Sequence, residues 1–120
     1  MVEFHGLRTV IYPARDLAAS RAWWTDFLGR EPYFDEPFYV GFNVSGYELG
    51  LVPDSRKADD GALAYWAVDD VDQAVNDAMS RGAALHGALA DVGAGIVTGS
   101  VTLLDGSIVG FIDNPHFSLE

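Results

Sequence analysis

One carboxylate in this chain is placed by its neighbours where it could do chemistry. Ser45-Gly46 separates two alternating stretches, YVGFNV before it and YELGLV after it, and reads as the two-residue turn of a hairpin. That register sets Val44 opposite Tyr47, Asn43 opposite Glu48, Phe42 opposite Leu49, Gly41 opposite Gly50 and Tyr39 opposite Val52. Partners across a hairpin share a face, so Val40, Phe42, Val44, Tyr47, Leu49 and Leu51 make an apolar side that must meet a helix. Tyr39, Gly41, Asn43, Glu48, Gly50 and Val52 make the other side, whose mixture of small, polar and aromatic residues suits a cavity wall. A glutamate in such a wall can pair with a ligand ammonium or act as a general base, whereas at the cavity mouth it is a solvated charge and nothing more.

The same alternation turns Leu7, Thr9 and Ile11 inward from a first strand, and Leu63, Tyr65 and Ala67 inward from a later one. Tyr39 and Tyr65 then offer rings that can stack on a planar ligand. Thr9 offers one hydrogen bond, although threonine is also ordinary strand material. Val10 and Tyr12 are expected against a helix. Trp66 is expected in the core, as are Trp23 and Trp24 by their helical spacing. His5, His86 and His116 form no metal-binding spacing. Asp69, Asp70 and Asp72 read as helix capping and dipole compensation.

The elements that must position these residues occur twice. In the first half Leu7 to Tyr12 suits a strand, Pro13 ends it, Asp16 can cap a helix over Leu17 to Leu28, and Gly29 stops that helix. In the second half Asp70 with Gln73 makes a capping-box-like start, Val71, Ala74, Val75 and Ala78 form one apolar face, and Gly82 is the stop. Aligning Gly46 with Gly106 puts Gly50 over Gly110, although the loop at Asp105-Gly106 is open between two residues and about six. The polar stretch PDSRKADDG is the only candidate linker. The fold class expected is α+β: one domain over 1–120, built from two βαβββ modules at about 5–54 and 61–115, with curved mixed sheets around a cleft.

Composition sets the outer limits. A chain of 120 residues, 49% hydrophobic, can bury one core without staples. It has no cysteine, which removes disulfides and thiolate metal sites and agrees with a cytoplasmic location. A net charge of −11 repels phosphate backbones and anionic lipid, so neither nucleic acid nor membrane is an expected partner.

Two βαβββ units of this length resemble the vicinal oxygen chelate superfamily, which contains glyoxalases, extradiol dioxygenases, fosfomycin-resistance enzymes and bleomycin-resistance proteins. The residues that carry the resemblance are SRAWWTDFLG in the first helix, YWAVDDVDQAVNDAMSRGA in the second half and the closing GFIDNP. Enzymes of the superfamily hold a divalent metal on the first and last strands of each unit. The resemblance equates those positions with Thr9, Gly50, Leu63 and Gly110, none of which is an ordinary metal ligand. No metal and no cofactor are therefore expected.

The resemblance then implies a small-molecule binder of the metal-free, drug-sequestering kind, holding an antibiotic or aromatic metabolite and working as a homodimer. Chains of this length in the superfamily often build each cleft from two subunits. The glycines at 50 and 110 are expected to widen the cavity floor. Thr9, Tyr39, Asn43 and Glu48 are the expected ligand contacts, together with Gly50, Leu63, Tyr65 and Gly110. The alternative is a lyase or isomerase that works without metal, with Glu48 as its base.

Overall fold

The computed structural model describes residues 2–53 and 61–117; residues 54–60, the bulk of the polar link, lie outside them, as do the two ends. The chain runs β1 (Phe4–Pro13), α1 (Leu17–Leu28), β2 (Phe34–Glu36), β3 (Tyr39–Val44), β4 (Tyr47–Val52), β5 (Leu63–Val68), α2 (Val71–Ser80), β6 (Ala84–Gly93), β7 (Ile96–Thr102) and β8 (Ile108–Asp113). All eight strands join one mixed sheet in the order β2-β3-β4-β1-β5-β8-β7-β6, curled into a half-barrel. Within each half the first strand pairs parallel to the last, β1 with β4 and β5 with β8. The halves meet where β1 runs antiparallel to β5, with Thr9 opposite Tyr65 and Ile11 opposite Leu63. A single chain thus supplies both walls of the concave face.

Local chemistry sets the helix ends. The Asp16 carboxylate accepts the Ala19 N–H at 3.0 Å, and Gly29 closes α1 in the left-handed region at φ 70°. Asp70 does the same for α2 by accepting the Gln73 N–H at 3.0 Å. The helices cover the convex face only at its flanks. Leu17, Trp24 and Leu28 of α1 pack on Val40, Phe42 and Leu51, while Val71, Ala74 and Val75 of α2 pack on Val101 and Phe111. Gly99 lets α2 come close, because a methyl there would lie 3.0 Å from Val75 and 3.1 Å from Val71. A third cluster, including Ile11, Tyr39, Val52, Leu63, Tyr65, Ile96 and Ile112, fills the concave side.

The β3–β4 register is the one expected from Ser45-Gly46, from Val40 opposite Leu51 to Val44 opposite Tyr47. Four other expectations fail. Leu7 is 55% exposed because a register shift between Leu7 and Thr9 takes it out of phase and pairs it with Trp66. Trp66 is 37% exposed and Trp23 56%, since the helices leave the centre of the convex face bare. Tyr47, at the turn end of its hairpin, also stays exposed. The loop between β7 and β8 takes the longer of the two expected lengths, residues 103–107: Thr102 pairs with Ile108, and the Leu103 N–H donates to the Ser107 carbonyl at 2.8 Å.

Candidate ligand-binding cleft

The two glycines at the compared positions do not widen the cleft. The Tyr39 ring lies along β3 over Gly50, where an added Cβ would sit 2.5 Å from the tyrosine oxygen and 3.0 Å from Cζ. In the other half the Tyr65 ring covers its cross-strand partner Gly110, with a Cβ there only 2.4 Å from Cδ2. Each glycine makes room for a ring of the same chain, and the expectation of a widened floor is overturned. Gly110→Ala is therefore expected to lose about 1–3 kcal/mol, as overpacked cores do, in urea unfolding against the wild type.

What remains between the modules is a cavity of about 210 Å³ lined by Ile11, Phe38, Tyr39, Val52, Pro53, Tyr65, Val92 and Thr98. Its wall is mostly apolar. The Tyr39 hydroxyl is buried and has no partner of good hydrogen-bond geometry, although the Glu48 carboxylate lies near enough to interact with it. Burial, then the neighbouring Glu48 charge, holds its ionisation well above the usual tyrosine value. Burial alone pushes Tyr65 up to about 12.

Beside this cavity lies a closed polar network. Glu48 is 3% exposed. Its Oε1 accepts the Thr9 hydroxyl at 2.6 Å, and its Oε2 accepts the Tyr33 hydroxyl at 2.5 Å and the Asn114 amide at 3.2 Å. The Asn114 amide also donates to the Tyr33 oxygen at 3.0 Å. Tyr33 ionises far less readily than a free tyrosine, first because it is partly buried and second because Glu48 is beside it. Gly41 allows this packing, for a Cβ there would meet Glu48 Oε2 at 2.7 Å and Tyr33 Cε1 at 2.8 Å. The segment after β8 closes over the network, with the Phe117 ring 5.7 Å from that of Tyr33 and the Arg8 guanidinium 5.2 Å from Phe117.

Of the residues expected to bind ligand, Tyr39 and Tyr65 line the cavity. Thr9 and Glu48 are bound to each other next to it, and Leu63 packs in the concave cluster. Gly50 and Gly110 lie beneath tyrosine rings. Asn43 serves its own hairpin, its side-chain oxygen accepting the Gly46 N–H at 3.0 Å. Sequence reasoning missed Phe38, Val92 and Thr98 on the cavity wall, and Tyr33 and Asn114 in the network. The alternation Ile96, Thr98, Ser100 along β7 could have found Thr98. Tyr33 and Asn114 fall outside the strands and carry no periodic signal. Among the described residues, no three His, Cys, Asp or Glu side chains come together as metal ligands would.

Residues 6–102 match the family model of the glyoxalase/bleomycin resistance protein/dioxygenase superfamily. No curated protein matches the chain. Among solved structures it resembles a variant of Streptomyces coelicolor methylmalonyl-CoA epimerase in complex with 2-nitronate-propionyl-CoA, at 14% identity and TM-score 0.74, over 94% of this chain and 99% of that one. A Legionella pneumophila structure described as an NAD-dependent benzaldehyde dehydrogenase gives 17% identity and TM-score 0.70, over 88% and 96%. A glyoxalase/bleomycin resistance protein/dioxygenase superfamily member from Vibrio splendidus 12B01 gives 19% identity and TM-score 0.58, over 95% and 100%. At these identities the structures speak for the fold alone. With the family model matching most of the chain, this chain belongs to the glyoxalase/bleomycin resistance protein/dioxygenase superfamily.

Proposed function

We propose that this protein is a small-molecule binder that takes a flat, mostly apolar ligand between Tyr39 and Tyr65 without the help of a metal ion. The observation that carries this reading is the pair of tyrosine rings seated on Gly50 and Gly110. With Thr9 and Leu63, those glycines leave one hydroxyl and no carboxylate or imidazole at the four compared positions. Such a donor set does not suit a divalent cation. It does suit an aromatic guest, with the Tyr39 hydroxyl, which has no well-aligned partner, supplying one hydrogen bond for orientation.

Size narrows the ligand. A cavity of about 210 Å³ is smaller than the ~300–1,000 Å³ of most drug-sized sites. A one- or two-ring metabolite suits that space and a glycopeptide antibiotic does not. In this reading the protein is a homodimer, each cleft lying within one chain.

The competing reading, a metal-free lyase or isomerase with Glu48 as base, is less well supported. A base must reach the proton it removes. Glu48 is instead sealed under three donors, and it is not part of the cavity wall.

The test is a screen of one- and two-ring aromatic compounds by ligand-observed NMR on protein purified without chelator, with elemental analysis of the same sample. Binding that Val52→Trp abolishes, with no stoichiometric metal, is the expected result. Stoichiometric metal, or binding indifferent to a filled cavity, would overturn the reading. Tyr39→Phe sharpens it. Removing a buried hydroxyl that has no well-aligned partner is expected to stabilise the free protein by up to about 1 kcal/mol while weakening the hits roughly tenfold, as loss of one hydrogen bond does.

A further inference from the structure

The two ends of the curled sheet meet over the cleft. Strands β2 and β6 are the outermost in the order, so among the described residues no strand ladder joins them. A side chain makes the contact instead. The Phe38 ring, in the turn between β2 and β3, lies on Gly93, the last residue of β6, where an added Cβ would sit 2.6 Å from Cδ2 and 2.7 Å from Cζ. Only glycine leaves room for the ring there.

The seat of the ring is itself pinned. Ala94 takes the left-handed conformation at φ 55°, which alanine rarely adopts, and its carbonyl accepts a hydrogen bond from His116 Nε2 at 2.7 Å. A carbonyl only accepts, so the imidazole carries its hydrogen on that nitrogen. The same imidazole lies 4.9 Å from the Phe34 ring of β2, and the His116 backbone N–H donates to Asn114 Oδ1 at 2.9 Å. The pin is thus anchored on the polar network. Burial shows where the cavity opens. Phe38 and Val92 are half-buried and Pro53 is exposed, while the rest of the lining is buried. The mouth lies at these three residues, and the contact of Phe38 with Gly93 closes its rim beside Val92.

We propose that the Phe38 ring is the gate of the cleft: a ligand reaches Tyr39 and Tyr65 when the ring leaves Gly93, and the hydrogen bond from His116 to Ala94 holds the seat in place. The proposal rests on the cleft reading of the proposed function and adds how that cleft is entered. A half-buried ring can change rotamer without unfolding what surrounds it. Phe38 packs on the concave cluster and stands edge-on to Phe34 at 6.0 Å, yet it keeps one side in water. Asp35 ties β2 to Arg21 of α1 at 2.8 Å, so the strand stays and the ring moves. Tyr39, with no exposed surface, has no such freedom.

Thiol labelling tests the gate without a ligand. The chain has no cysteine, so Thr98→Cys puts a single thiol on the cavity wall. Its reaction with methyl methanethiosulfonate, a small neutral reagent, reads how often the cleft opens. Adding Phe38→Ala is expected to speed that reaction on the order of tenfold, and adding His116→Ala roughly fivefold, the effect of one lost hydrogen bond. Val101→Cys, fully buried under α2, controls for general loosening, since its thiol reacts only when the core opens. Its rate is expected to rise less than the rate at position 98. An equal rise at both positions, or none at 98, would overturn the gate. So would a Thr98→Cys protein that reacts as fast as a free thiol. The aromatic screen reports separately: no hits with gated labelling removes the ligand class and keeps the gate, whereas hits with ungated labelling keep the cleft and remove the gate.

Discussion

Glu48→Ala is expected to lose about 3–5 kcal/mol of stability, a large share of what a domain this size has. The truncation leaves the buried Thr9 hydroxyl and Asn114 amide without their acceptor, together with the partly exposed Tyr33 hydroxyl. Each orphaned buried group costs roughly 1–3 kcal/mol, part of which the Tyr33–Asn114 hydrogen bond offsets. The loss is also architectural. Asn114 follows the last strand of the second module and reaches Glu48 and Tyr33 in the first, so the network ties the two halves of the curled sheet together. Glu48→Gln preserves the shape and one acceptor oxygen, and is expected to lose about 1–2 kcal/mol while still binding the aromatic hits. Urea unfolding of the three proteins measures the difference. An alanine variant within 1 kcal/mol of wild type would mean that water replaces the carboxylate and that the tie is dispensable. A glutamine variant that binds normally but stops a turnover seen in the wild type would restore the enzyme reading.

The second large effect is alkaline. Tyrosine in an unfolded chain ionises near pH ~10, while burial pushes Tyr65 up to about 12 in the folded protein. A group whose folded value is raised in this way stays neutral in the fold, so its contribution is fully present below the unfolded value. It declines as the pH climbs from there toward the folded value, because only the unfolded state gains by releasing the proton. For Tyr65 the decline amounts to about 3 kcal/mol between pH ~10 and ~12, at about 1.4 kcal/mol per pH unit. Tyr39 and Tyr33 are shifted in the same direction, by burial first and the Glu48 charge second, and they steepen the fall. Unfolding free energy is thus expected to hold steady up to about pH 10 and then collapse, and the Tyr65 share of the tyrosinate absorbance, read as the difference between wild type and Tyr65→Phe, rises in the same step as the loss of fold. Tyr65→Phe should make that decline shallower. A Tyr65 difference signal that appears while the protein is still folded would contradict the buried placement of that ring.

Local rules made much of the architecture readable in advance. Asp16 and Asp70 cap their helices because a carboxylate before a helix accepts an orphan N–H wherever the chain folds. Ser45-Gly46 sets the β3–β4 register because a two-residue turn fixes every pair after it. The segments SRAWWTDFLG and YWAVDDVDQAVNDAMSRGA and the repeated strand-helix-strand order carried the family resemblance that the model match to residues 6–102 supports. Alternation likewise put Thr9, Ile11, Leu63, Tyr65 and Glu48 on the buried side. It failed at Leu7 because one extra residue in β1 reverses the phase, and no residue in that stretch announces a bulge.

What the order of amino acids determined by itself was the set of elements, their ends and their pairing within each hairpin, since those depend on hydrogen bonds and periodicity among near neighbours. Only the tertiary structure decided what fills the cleft. The ring of Tyr65 meets Gly110 through the β5–β8 pairing, and Glu48 finds its partners 39, 15 and 66 residues away, across loops whose path local propensity does not specify. A glycine read in sequence looks like an empty place on the wall, but close packing in a folded interior leaves few empty places, and here a neighbouring strand's tyrosine occupies it.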